Sequence, residues 1–126
     1  MEALLRSVKR VCNAGLDSRT LRRNVAQLVA PQLAFDAYAF STCDPDTGLM
    51  THVVADGVPP AVTRTYVNVL YPDHCARLAI DMPRRGIAVF SMLEHSRETR
   101  SVLAAHGLHE QLHVSLDVNG RLWGTW

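Results

Sequence analysis

The chain of 126 residues has only three cysteines, Cys12, Cys43 and Cys75, an odd and widely spaced set with no Cys-x-x-Cys pair. That excludes a disulfide framework and the paired spacings of common zinc sites. No apolar run approaches the roughly 18 residues a membrane span requires. The stretch 4–12 is broken by Arg6, Lys9 and Arg10, so it does not read as the apolar segment of a secretory signal either. These absences point to a reducing, cytoplasmic setting without a membrane. Charge of one sign is missing as well: the net value of +1 argues against a domain that binds nucleic acid over its whole surface. There is no glycine-rich phosphate loop and no Gly-x-Ser-x-Gly elbow.

What is present is the composition of an ordinary soluble domain, 48% apolar and 20% charged. At this length one core can bury about two thirds of the unfolded surface, so a single domain over 1–126 is expected. Arg6, Lys9, Arg10, Arg19, Arg22 and Arg23 gather in the first two helical segments and read as a solvated face.

The apolar spacing predicts a helix over residues 3–14, carried by Leu4, Leu5, Val8, Val11 and Cys12, with Gly15 as terminator. Asp17 or Ser18 caps a second helix to about Val29, with Leu21, Val25, Leu28 and Val29 as its buried side and Pro31 ending or kinking it. Strands follow at about 37–42 and 49–55, joined by the turn Asp44-Pro45-Asp46-Thr47-Gly48. Pro59 and Pro60 open a helix with the stripe Val62, Tyr66, Val69 and Leu70. Residues 73–81 form a short helix or turn, 87–90 a strand, and 94–105 a helix capped by Gly107. Strands at 112–118 and 121–126 complete an α+β order around an antiparallel sheet.

The final hairpin is the strongest local signal, because Asn119-Gly120 suits a turn that needs φ > 0 at both positions. Two registers fit it. A two-residue turn sets Leu116 opposite Trp123. A three-residue loop with a bulge sets Asp117 opposite Arg121 and Leu116 opposite Leu122, and strict alternation of burial favours this second form. It gathers Leu112, Val114, Leu116, Leu122, Gly124 and Trp126 on one face. The run from Arg121 is strand-like to Trp126 with no stop signal, so the last strand is expected to be incomplete and the domain C-terminally truncated.

Candidate chemistry is sparse. His106, His109 and His113 recur at helical spacing, but Gly107 interrupts the stretch and no metal site is expected. Asp73-His74-Cys75 sets acid, base and nucleophile on adjacent residues whose side chains diverge. Asp44, Asp46 and Asp56 are explained by turns, so no catalytic residue is assigned and no enzyme activity is expected. The aromatics Phe40, Tyr66, Tyr71 and Phe90 lie on separate elements and form either core or the wall of a ligand cavity.

Two segments resemble a known pattern. One is Phe35-Asp36-Ala37 with Phe40 and Asp44-Pro45-Asp46-Thr47-Gly48-Leu49. The other is Gly107-Leu108-His109-Glu110-Gln111-Leu112-His113-Val114 with Asn119-Gly120-Arg121-Leu122-Trp123-Gly124. Both are similar to the GAF-like sensory domain of actinobacterial LuxR-type helix-turn-helix regulators, and His113 stands where many such domains have an arginine. The resemblance implies an antiparallel sheet covered on one face by terminal helices that mediate dimerisation. It implies a small-molecule pocket on the other face, lined by Phe40, Tyr66, Leu70, Tyr71, His74, Cys75 and Phe90. It names no cofactor and no particular ligand, and it assigns DNA contact to a further domain outside these residues. Two alternatives stand beside this sensing role. One is a purely structural dimerisation module with Leu4, Leu5, Val8 and Val11 as its seam. The other is a cysteine-dependent methionine sulfoxide reductase of the same fold, using Cys43 and Cys75.

Overall fold

The computed structural model describes residues 1–65, 68, 87–91 and 97–126, with 87–91, 98 and 99 placed by their backbone alone. Its elements are α1 (Glu2–Cys12), α2 (Ser18–Leu33), β1 (Tyr38–Cys43), β2 (Met50–Asp56), α3 (Pro60–Thr65), β3 (Ile87–Ser91), α4 (Arg97–Ala105), β4 (Glu110–Val118) and β5 (Arg121–Thr125). The strands form one sheet in the order β2-β1-β5-β4-β3, and each neighbouring pair is antiparallel. Among the described residues the element order and the antiparallel sheet are those the sequence pattern indicates; the short helix or turn expected at 73–81, and Tyr66, Val69 and Leu70 of the stripe before it, lie outside the described residues.

β5 is the middle strand. It pairs with β4 on one side and, through Ser41–Thr125 and Thr42–Gly124, with β1 on the other. Its run of apolar character follows from that central place.

The closing hairpin departs from both expected registers. Val118 pairs with Arg121 and Asp117 with Leu122, so Asn119-Gly120 is a two-residue turn with both residues at positive φ. The ladder then shifts, and Leu116 faces Gly124 instead of Leu122 or Trp123. The bulge is therefore in β5 at Trp123 and not in the turn, because an Asn-Gly pair can hold the tight turn by itself. The shift separates Leu122 from Gly124 and Trp126. Leu122 is buried on the face of Ser115, and Gly124 and Trp126 share the face of Phe40. Leu112 and Leu116, expected inside, are exposed, as is Trp123.

α2 also runs differently. It continues through Pro31 to Leu33 and ends at Ala34, which takes a left-handed conformation and returns its N–H to Ala30. A proline this near the end removes one hydrogen bond and leaves the last turn intact. The fully buried residues of α2 are Arg22 and Ala26, one turn apart, while Leu21, Val25, Leu28 and Val29 are half-buried. α1 packs on α2 and buries no residue completely.

Two aspartates fix local geometry. Asp17 caps α2 by accepting from the N–H groups of Arg19 and Thr20 and from the Thr20 hydroxyl. Asp44 organises the β1–β2 turn by accepting from the N–H groups of Asp46 and Thr47 and from the Thr47 hydroxyl. The Thr20 hydroxyl first, and the Thr47 N–H first, hold these two carboxyls below the ordinary aspartate pKa. Because the folded values are depressed, the stabilisation is complete above the unfolded value of about 4 and is lost as pH falls through the lower folded values. A carboxyl-carbon NMR titration should show both groups protonating below an unfolded reference peptide. Coincident curves would mean that the hydrogen bonds contribute nothing to the folded state.

Candidate functional site

Alternation along β1 sends Tyr38, Phe40 and Thr42 to one face of the sheet and Ala39 and Ser41 to the other. The first face is the one α2 covers. There the Phe40 ring stacks on Trp126 at 5.5 Å between centroids, and Phe35 meets both Trp126 and Tyr38 edge-on at 6.0 and 5.9 Å. The Arg22 guanidinium lies 5.9 Å above the Phe40 ring and donates from Nη1 to the Phe40 carbonyl at 2.8 Å. Nη2 contacts His52 Nδ1 at 2.8 Å, and Nε donates to the Ser18 carbonyl at 3.0 Å. On this side a half-buried aromatic stack is pinned by one cation.

The second face carries hydroxyls. Ser41 on β1, Thr125 on β5 and Ser115 on β4 are successive cross-strand partners, so their side chains form one row over three strands. Ser41 and Ser115 are 3% and 9% exposed. Ser41 Oγ lies 2.6 Å from Thr125 Oγ1, and either atom can donate. Farther along the same face of β4, His113 Nε2 sits 3.2 Å from Gln111 Oε1. Cys43 is buried near one end of the row, where desolvation pushes its thiol pKa up and the Ser41 hydroxyl partly opposes this. Such a thiol is less ionised than an ordinary one, the reverse of what a nucleophilic cysteine needs. Buried hydroxyls on a sheet face are costly unless bonded, and a row of them supplies both donors and acceptors at fixed spacing.

Of the seven expected lining residues, Tyr66, Leu70, Tyr71, His74 and Cys75 lie outside the described residues. Phe90 is placed by its backbone, in β3 opposite Gln111. Phe40 is found in the aromatic stack beneath α2, where pairing with the Trp126 ring directs it, and not on the hydroxyl-bearing face. Ser41, Ser115 and Thr125 were legible only as small polar residues in strands. Their common face depends on the β1–β5 pairing, a contact across 84 positions of sequence. His106 follows α4, and His113 is in β4, so the two do not share a helical face. Among the described residues no group of three histidine, cysteine or acidic side chains is arranged to hold a metal. An open depression of about 500 Å³ flanks α3, lined by Val58, Pro60, Thr63, Arg64 and Asn68.

These features define an α+β, GAF-like antiparallel sheet with flanking helices. The chain is similar in structure to CepR2 of Burkholderia cenocepacia, an N-acylhomoserine lactone dependent LuxR family transcription factor. The TM-score is 0.67 and the identity 14%, over 98% of this chain and 72% of that one. At that identity the likeness is one of fold. No protein-family model and no curated protein matches the sequence. Among the described residues no helix is long and apolar enough to cross a membrane.

Proposed function

We propose that this chain is the small-molecule-sensing module of a cytoplasmic transcription regulator of the LuxR type, the actinobacterial form included, and that it performs no catalysis. The observation that carries this reading is the hydroxyl row Ser41–Thr125–Ser115, buried at its two serines, on the sheet face that α2 leaves to the rest of the chain. A ligand lying on that face meets fixed polar groups from three strands and is otherwise surrounded by apolar wall, the common composition of a small-molecule site. Tyr66, Leu70, Tyr71, His74, Cys75 and Phe90 are proposed as that wall. The fold shared with an N-acylhomoserine lactone dependent regulator supports an acylated lactone as the first ligand to try.

Dimerisation is assigned to α1, an amphipathic helix that buries no residue completely and exposes Leu5. DNA contact belongs to a separate domain, and the ligand acts by binding one of two states more tightly.

A thermal-shift screen of acylhomoserine lactones and a general metabolite panel tests this. A ligand at a hundred times its Kd adds about 2.7 kcal/mol, so one compound should raise the midpoint by several degrees. Ser41→Ala and Thr125→Val should each reduce that shift. A dimer by sedimentation with no shift across the panel leaves only the structural role.

A further inference from the structure

Two guanidinium groups of α2 reach for the same imidazole. Arg22 Nη2 lies 2.8 Å from His52 Nδ1, and Arg19 Nη2 lies 3.4 Å from His52 Nε2. Arginine offers only donors, and a neutral imidazole offers one lone pair. The shorter contact, made by the buried Arg22, takes it. Nε2 then carries the hydrogen and faces the Arg19 donors with no acceptor between them. The other tautomer moves the same conflict inward, where two N–H groups would oppose each other at 2.8 Å. A protonated ring has no lone pair at all. The cluster is at least one acceptor short in every form.

No carboxylate supplies the missing acceptor among the described residues. The ion pairs there are Arg6–Glu2 and Arg121–Asp46. Asp17, close in sequence, gives its oxygens to the N–H groups of Arg19 and Thr20 and to the Thr20 hydroxyl, so the start of α2 is already capped. Burial first, and then the charge of Arg19, hold the Arg22 guanidinium below its ordinary pKa. Desolvation of the buried guanidinium is the main cause, and the neighbouring like charge adds to it.

We propose that Arg19 and His52 form an oxyanion-binding notch on the outer side of α2 and β2, with buried Arg22 fixing the imidazole behind it. An oxygen about 2.9 Å from both nitrogens completes a triangle on the 3.4 Å base. Arg19 and His52 are exposed, so the notch is open to solvent. The shared chemistry is a phosphate or carboxylate oxygen. The notch is on the opposite face of the sheet from the hydroxyl row, and it stands whether or not that row binds a ligand.

The test adds sodium phosphate, and separately sodium acetate, to the 126-residue chain at constant ionic strength held with chloride, because general screening would otherwise mimic binding. A rise in Tm of roughly 4–8 °C is expected at ten times the Kd, growing with the logarithm of anion concentration beyond it, and the His52 Nε2 resonance should move along a saturating curve. Arg19→Gln should weaken the response by about tenfold, the loss of one charged hydrogen bond. Arg23→Gln, an exposed charge one residue past Arg22, should keep the response. Saturation with phosphate alone assigns a phosphate ligand, and saturation with acetate assigns a carboxylate. No saturation with either, or an equal response in Arg19→Gln, overturns the proposal.

Discussion

Replacing Gly124 by alanine is expected to remove about 3 kcal/mol of stability or more, near the top of the range for overpacking a well-ordered interior. Gly124 is in the central strand, paired with Thr42 on β1 and Leu116 on β4. A Cβ there would collide with the carbonyl oxygen of Ser41 and also touch the Leu116 side chain. The first obstacle is backbone, so it has no rotamer to escape into. Relief requires moving β1 away from β5, which are paired in register at Ser41–Thr125 and Thr42–Gly124. The displacement therefore falls on the joint that holds the two halves of the sheet together. A control separates this from ordinary glycine effects. Gly15 has φ of +67° and nothing within 4 Å of an added Cβ, so Gly15→Ala should cost only the left-handed penalty of about 1–2 kcal/mol. Urea unfolding of both variants, with an unchanged slope, is the measurement. A Gly124→Ala loss no larger than that of Gly15→Ala would mean that β1 and β5 do not need their close approach.

Gly124 also marks where sequence patterns stop being informative. Local signals were sufficient for the turns: Asp44 to Gly48 and Asn119-Gly120 do what their residue types require, and Gly107 ends α4 with positive φ and a return of the Leu108 N–H to Leu103. Strand identity was legible from period-2 alternation, and the antiparallel order from the hairpins. The registers were not. Alternation assumes one residue per step, and the bulge at Trp123 breaks that rule inside the strand that every face assignment depended on. Pairing of β1 with β5 was invisible for another reason. It joins distant segments and carries no turn that would announce it. The site residues follow the same division. Ser41 and Thr125 are unremarkable polar positions until the sheet order brings their oxygens to 2.6 Å. Phe40 was identified as an important aromatic from sequence, yet its face could be settled only by Trp126 and α2. Arg22 was read as part of a solvated basic face. A local cue to its burial existed, since Ser18 and Ala26, one turn before and after, are the small residues that let a long side chain lie flat against a sheet.

Arg22→Met is expected to cost about 3 kcal/mol, because it keeps the stem and removes the charged hydrogen bonds. Two effects oppose each other. Burying a guanidinium is expensive, and replacing buried charges by apolar groups is often neutral. Against that, each hydrogen bond from a charged group contributes about 1.5–3 kcal/mol, and Arg22 makes three short ones, to Ser18, Phe40 and His52. Their geometry decides the balance. One planar group ties the first turn of α2 to a carbonyl in β1 and an imidazole in β2, so its loss leaves acceptors on two strands facing a thioether. Arg22→Lys should be nearly as damaging, since an ammonium on a flexible stem cannot hold a fork of three separated acceptors. If the methionine variant matches the parent in urea unfolding while the lysine variant does not, α2 is held by packing on Phe40 alone and the fork is dispensable. The same substitution reaches the outer notch. With Arg22 gone, His52 Nδ1 is free to carry the ring hydrogen, and Nε2 can accept from Arg19 directly. The internal acceptor then satisfies Arg19, and the phosphate or acetate response should fall although Arg19 and His52 are both intact.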